Sequence, residues 1–115
     1  MQTENLDRRV ENRRALDIYM NKLIGDEPYM VRAADISTTG IYLHKLIEPD
    51  LPEGTSVSLE FQLPNSNEVI WARGAVMRDG QRWGAEGAGI WFTILPQAYR
   101  RLIEDYVATG CRLAA

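Results

Sequence analysis

Thr55-Ser56-Val57-Ser58-Leu59-Glu60-Phe61-Gln62-Leu63 decides the fold class of this chain. Val57, Leu59, Phe61 and Leu63 fall on one face of an extended segment, and Ser56, Ser58, Glu60 and Gln62 fall on the other. Strict period two describes a strand with one face buried and one wet, the habit of antiparallel sheets. Pro64-Asn65-Ser66-Asn67 reverses the chain, and Val69 to Met77 returns with Ile70, Ala72, Gly74 and Val76 on one face.

Upstream, Ala15 to Ile24 alternates Leu16, Ile18 and Met20 against Asp17, Tyr19 and Asn21, which predicts a strand. Gly25-Asp26-Glu27-Pro28 signals a turn, and a second strand fits Tyr29 to Ile36. Ser37-Thr38-Thr39-Gly40 breaks it before Ile41-Tyr42-Leu43 resumes a short strand. Residues 48–54 hold two prolines and a glycine and read as a loop. Downstream, Asp79-Gly80 marks a further turn and Gly87 to Ile94 a last strand, Gly-rich at its start. Pro96 opens a helix at its first position, with Tyr99, Leu102, Ile103, Tyr106 and Val107 as an apolar stripe and Gly110 as its stop. Six or seven short strands followed by one helix predict an all-β, closed or nearly closed antiparallel barrel whose helix covers an opening or an edge. The expected division is an arm over residues 1–14, loose at 1–7, a barrel with its helix over 15–110, and a tail over 111–115.

With 115 residues, 45 % of them apolar and 25 % charged, the chain suits one domain with one modest core. The lone cysteine, Cys111, cannot form an internal disulfide, and no Cys/His cluster points to a metal. No apolar run is long enough to span a membrane and no signal-peptide core opens the chain, so the cytoplasm is the expected compartment. The net charge of −3 argues against a DNA or RNA partner. Basic charge is concentrated instead: eleven of the thirteen basic residues are arginine, and Arg8, Arg9, Arg13 and Arg14 fall within seven residues. On charge alone that run reads as a solvated arm. As a clamp it would suit anions or guanine, because guanidinium offers a planar fork of donors that ammonium lacks.

Two patterns carry the chemistry. Arg9-Val10-Glu11-Asn12-Arg13 is Arg-x-x-x-Arg, preceded by Arg8; it is weak by itself, since Arg78 to Arg82 matches too. Asp35-Ile36-Ser37-Thr38-Thr39-Gly40 is Asp-x-Ser-x-x-Gly, which random composition produces far less often. By themselves Asp35, Ser37 and Gly40 also make an ordinary Asx- or Ser-type turn between strands. Together with Leu51-Pro52-Glu53-Gly54, Gly74-Ala75-Val76 and Gly87-Ala88-Gly89-Ile90-Trp91-Phe92, the two patterns make the chain resemble the PilZ family of cyclic di-GMP receptors over nearly its whole length. The resemblance implies a six-stranded antiparallel barrel with a C-terminal helix and a flexible N-terminal arm. It implies cyclic di-GMP binding by Arg9, Arg13, Asp35, Ser37 and Gly40. It associates Arg8 with a self-stacked ligand pair, hence two molecules per domain, and it implies signalling to a partner protein in motility, exopolysaccharide or biofilm control.

The residue types fit that ligand. A guanine Hoogsteen edge offers O6 and N7 to an arginine fork, and phosphates prefer arginine or bare N–H groups. The Asp35 carboxylate can accept from guanine N1–H and N2–H₂ or hold an arginine in place; the Ser37 hydroxyl can reach a phosphate or base edge. Gly40 allows a backbone conformation and a close ligand approach that a Cβ would forbid. Ordering of the arm over the ligand is the expected mechanism.

Some members of the family carry an aromatic residue where this chain has Met77, which covers a base less well. Arg14 has no assigned part. Trp71 and Trp91 face away from their strands' small apolar residues, which suits either partner contact or, more commonly, packing under the helix. Trp83 has Arg82 beside it for a cation–π contact, and the lone His44 reads as an exposed polar residue. No nucleophile–base pair, carboxylate pair or phosphate loop suggests an enzyme, and no cofactor is expected. Two rivals remain: a related interaction module indifferent to the nucleotide, and a barrel for single-stranded nucleic acid, which would need a basic, aromatic-studded groove.

Overall fold

The computed structural model describes residues 12–45, 50–82 and 85–114, with backbone alone at 78–82, 85 and 111–114. Six strands close into one barrel: β1 (Arg14–Ile24), β2 (Glu27–Ile36), β3 (Gly40–His44), β4 (Ser56–Gln62), β5 (Val69–Arg82) and β6 (Ala85–Ile94), followed by α1 (Gln97–Ala114). The order around the barrel is β1-β2-β3-β6-β5-β4, every neighbouring pair antiparallel. Two three-stranded meanders are thus joined edge to edge, β3 to β6 and β1 to β4, which closes the sheet on itself.

The alternation in β4 holds: Val57, Leu59 and Phe61 are buried while Ser56, Glu60 and Gln62 are exposed. Val31, Ile36, Leu43, Ile70, Val76 and Ile90 complete the interior from the other strands, each fully buried side chain of this kind contributing about 1.5–3 kcal/mol. Lys22 is buried on the inner side of β1, opposite Leu59. The first hairpin is tighter than the four-residue signal suggests. Ile24 pairs with Glu27, so Gly25-Asp26 alone turn, with Gly25 at φ 63°. Pro28 lies inside β2, in the half of that strand that has no partner on its second side, where a missing N–H costs no ladder bond.

Three local expectations are corrected. Asp79-Gly80 is not a turn: β5 runs through both, which pair with Ala88 and Gly87, as far as Arg82 opposite Ala85. Helix α1 does not stop at Gly110 but continues to Ala114. Pro96 stands just before the helix rather than at its first position, its carbonyl accepting the first helical bond from the Arg100 N–H at 2.9 Å. The predicted stripe does meet the barrel: Ile103, Tyr106 and Val107 are buried in the common core, with Tyr99 and Leu102 packed beside them. The Tyr106 hydroxyl donates to the Ala15 carbonyl at 3.1 Å, fastening the helix to the start of β1.

Among the described residues no helix is long and apolar enough to cross a membrane, and no group of His, Cys, Asp and Glu is arranged to hold a metal ion.

Candidate functional site

The connection between β2 and β3 folds on the Ser37 hydroxyl. The Ser37 N–H donates to the Gly40 carbonyl at 2.8 Å, closing the turn. Ser37 Oγ accepts from the N–H groups of Thr39 (3.1 Å) and Gly40 (3.3 Å) and lies 3.0 Å from Thr39 Oγ1. Ser37 is entirely buried, so its hydroxyl organises the turn from inside. The Phe92 N–H donates to the Thr39 carbonyl at 2.9 Å, tying the turn to β6.

Arg13, immediately before β1, closes over this turn. Its Nε and Nη2 donate to Asp35 Oδ1 at 3.0 and 2.7 Å, its Nη1 to Ser37 Oγ at 3.0 Å, and its Nη2 more weakly to the Gly40 carbonyl at 3.4 Å. Four of the five N–H groups of one guanidinium are thereby engaged by three residues of the turn. The Asp35 side chain keeps 12 % of its surface and that of Arg13 36 %, so the ion pair sits at the mouth of a depression. Of the predicted set, Arg13, Asp35, Ser37 and Gly40 come together; Arg8 and Arg9 lie outside the described residues.

The unusual backbone conformation expected at Gly40 is absent, and the barrel itself demands the glycine. It has no positive φ, unlike Gly25 and Gly54. A Cβ on Gly40 would stand 2.5 Å from the Ile90 carbonyl oxygen, so the backbone of β6 demands the bare position.

Arg13 and Gly40 border a cleft of about 340 Å³ whose remaining lining includes Tyr42, Met77, Gly89 and Trp91. Met77 and Trp91 are 45 % and 53 % exposed, and Trp71, elsewhere on the barrel, is 38 % exposed. The commoner fate expected for the tryptophans, packing beneath the helix, does not occur at 71 or 91; Trp83 lies outside the described residues. His44 is half-buried, its ring edge-on to Tyr42 at 5.6 Å, rather than exposed as expected.

Arg14 acquires a role that its sequence position did not reveal. Its guanidinium lies 4.0 Å from the Tyr106 ring centroid, and Nη1 donates to the Tyr106 carbonyl at 2.9 Å. A side chain at Gly110 would collide with Arg14, which explains a glycine in mid-helix. Arg100, in the first turn of α1, donates to the Thr38 carbonyl at 3.0 Å. The helix therefore grips both the arm, through Arg14, and the turn, through Thr38.

A small closed barrel, a terminal helix and an arginine clamped to an Asp-x-Ser-x-x-Gly turn define the architecture of this domain. The family profile described as PilZ domain matches residues 7–109, and the chain belongs to that family. Solved structures share the fold at low identity. The PilZ domain of Escherichia coli YcgR with c-di-GMP aligns with TM-score 0.71 at 15 % identity, over 93 % of this chain and 94 % of that one. The Bacillus subtilis inhibitor of motility MotI gives 0.78 at 14 %, over 87 % of this chain and 49 % of that one. The Borreliella burgdorferi PlzA protein in complex with c-di-GMP gives 0.64 at 15 %, over 92 % and 43 %. The aligned region is thus about half of MotI and less than half of PlzA, but nearly the whole YcgR domain. A comparison with curated proteins returned no match.

Proposed function

We propose that this chain is a cyclic di-GMP receptor, not an enzyme, that acts in the cytoplasm and reports the nucleotide to a partner protein. The observation that carries the reading is the Arg13 guanidinium held to Asp35, Ser37 and Gly40 at the rim of an open cleft. YcgR and PlzA were each solved with c-di-GMP, and MotI is an inhibitor of motility, which supports the ligand and suggests motility as the regulated process.

Arg9 and Arg13 supply forks for guanine Hoogsteen edges and phosphate, and Arg8 adds the contact that would retain a second, stacked ligand. Asp35 receives guanine N–H groups or steers an arginine, while Ser37 and Gly40 shape the floor. Binding orders the part of the arm that carries Arg8 and Arg9 over the barrel, upstream of the already anchored Arg13 and Arg14. Because Arg14 follows Arg13 directly and stacks on Tyr106, movement of the arm reaches α1, which becomes the surface that the partner senses.

Calorimetric titration of the full chain with cyclic di-GMP tests the reading, with the stoichiometry distinguishing one ligand from two. Micromolar or tighter binding is expected, with a gain in stability of about 2.7 kcal/mol at a hundredfold excess over Kd. Arg9→Ala and Arg13→Ala should each abolish both effects. Absence of binding to folded wild-type protein refutes the proposal and leaves a nucleotide-independent interaction module.

A further inference from the structure

Trp91 is 53 % exposed on the outer face of β6. Beside the similarly open Met77 in one cleft, it forms an apolar surface suited to a flat occupant. Its neighbours keep it open. Across the strands Trp91 pairs with Gly40 on β3 and Ala75 on β5, and two residues earlier on the same face stands Gly89. The bare position at Gly40 is imposed by the Ile90 carbonyl, so no larger residue can take its place and cover the indole from that side. The same cleft brings Trp91 and Met77 together with Arg13.

We infer that Trp91 is the stacking platform for one guanine of the bound nucleotide, with Met77 covering an adjoining part of the cleft; this rests on the cyclic di-GMP reading above. A base has two separate recognition features. Its edge suits an arginine fork and its face suits an aromatic ring, so one guanine can satisfy the arginines and Trp91 at once. An aromatic platform on β6 also compensates for methionine at position 77.

The test uses the full chain and cyclic di-GMP. Trp91→Ala and Trp91→Leu should each weaken binding about tenfold or more, whereas Trp91→Phe should stay within about threefold of wild type. Leucine separates ring stacking from mere apolar cover. In the W71F/W83F variant, whose sole tryptophan is Trp91, the nucleotide should quench and shift the emission; this readout does not depend on the Ala and Leu variants folding. Wild-type binding that survives Trp91→Ala within about twofold, or that leaves Trp91 emission unchanged, overturns the inference while the receptor reading stands. A wild-type chain that binds no cyclic di-GMP overturns both.

Discussion

Removing either partner of the Arg13–Asp35 pair should cost stability before any ligand is present. Asp35 Oδ1 accepts two N–H groups from Arg13, at 2.7 and 3.0 Å, and the same guanidinium holds Ser37 Oγ. A fully exposed ion pair is worth about 0–1 kcal/mol, and breaking a fully buried one costs about 3–5 kcal/mol. With side-chain exposures of 36 % for Arg13 and 12 % for Asp35, this pair lies between those limits, at about 1.5–2 kcal/mol. The two truncations are not equivalent. Asp35→Ala leaves the guanidinium its contacts with Ser37 and Gly40, whereas Arg13→Ala removes the contacts with all three residues at once, so Arg13→Ala should be the more damaging. For a chain of this size the loss corresponds to a fall in Tm of roughly 6–8 °C. The assay is a double-mutant cycle of Arg13→Ala, Asp35→Ala and the pair, followed by urea unfolding without nucleotide. A coupling energy below about 0.3 kcal/mol would show that the clamp holds nothing in the free protein, and the reasoning would fail.

Gly110→Ala should stabilise an Arg14→Ala background by about 1 kcal/mol, the gain in helix propensity. In wild type the methyl displaces Arg14 from Tyr106 and cancels that gain, so unfolding that shows the two changes to be additive would contradict the contact. Gly40→Ala should destabilise the ligand-free barrel by about 1–3 kcal/mol or more, because its Cβ meets the Ile90 backbone oxygen; an unchanged melt would disprove this, and lost binding in that variant reports the fold rather than the ligand. The hydrogen bond from Arg32, and then its charge, holds the Asp17 carboxyl below its ordinary value, and Lys45 does the same for Asp50. A carboxylate depressed in the folded state stabilises above its unfolded pKa and loses that contribution as pH falls through the folded one. Arg32→Ala should therefore raise the Asp17 pKa back towards the ordinary carboxylate range in a carboxyl-resolved NMR titration and leave Asp50 where it was.

How much of this was legible in the sequence depended on how local the cause was. The period-two runs located β1, β4 and the inner face of β5, because burial on one side of a strand writes itself directly into alternation. The apolar stripe from Tyr99 to Val107 was legible for the same reason. Asp79-Gly80 misled because an Asp-Gly pair favours a hairpin turn only if the strands separate there, and the ladder continues opposite Ala88 and Gly87. Gly110 misled because its cause is Arg14, at the other end of the chain; a local rule sees a helix stop where the fold needs a gap. The gathering of Arg13, Asp35, Ser37 and Gly40 could be expected from two motifs, but the number of bonds that Arg13 makes could not. Trp91 was visible as an outward residue, yet its openness follows from the pairing of β6 with Gly40 and Ala75, which only the barrel order sets.

That bond count constrains the proposed mechanism. A guanidinium that already gives four N–H groups to the turn cannot offer a bidentate fork to guanine without releasing some of them. On the receptor reading the nucleotide therefore either displaces the Arg13–Asp35 clamp or leaves it in place and is read by Arg8 and Arg9. The two routes differ in what the rest of the molecule feels. Displacement moves residue 13 and, through the next peptide, Arg14, whose guanidinium is stacked on Tyr106 and held in the notch left by Gly110. Retention leaves Arg14 and α1 undisturbed and limits the change to the arm itself. Amide chemical shifts at Tyr106 to Gly110, far along the chain from both motifs, should move on titration with cyclic di-GMP if the clamp opens. Perturbation confined to the arm, the turn and the cleft would exclude the helix as the output surface.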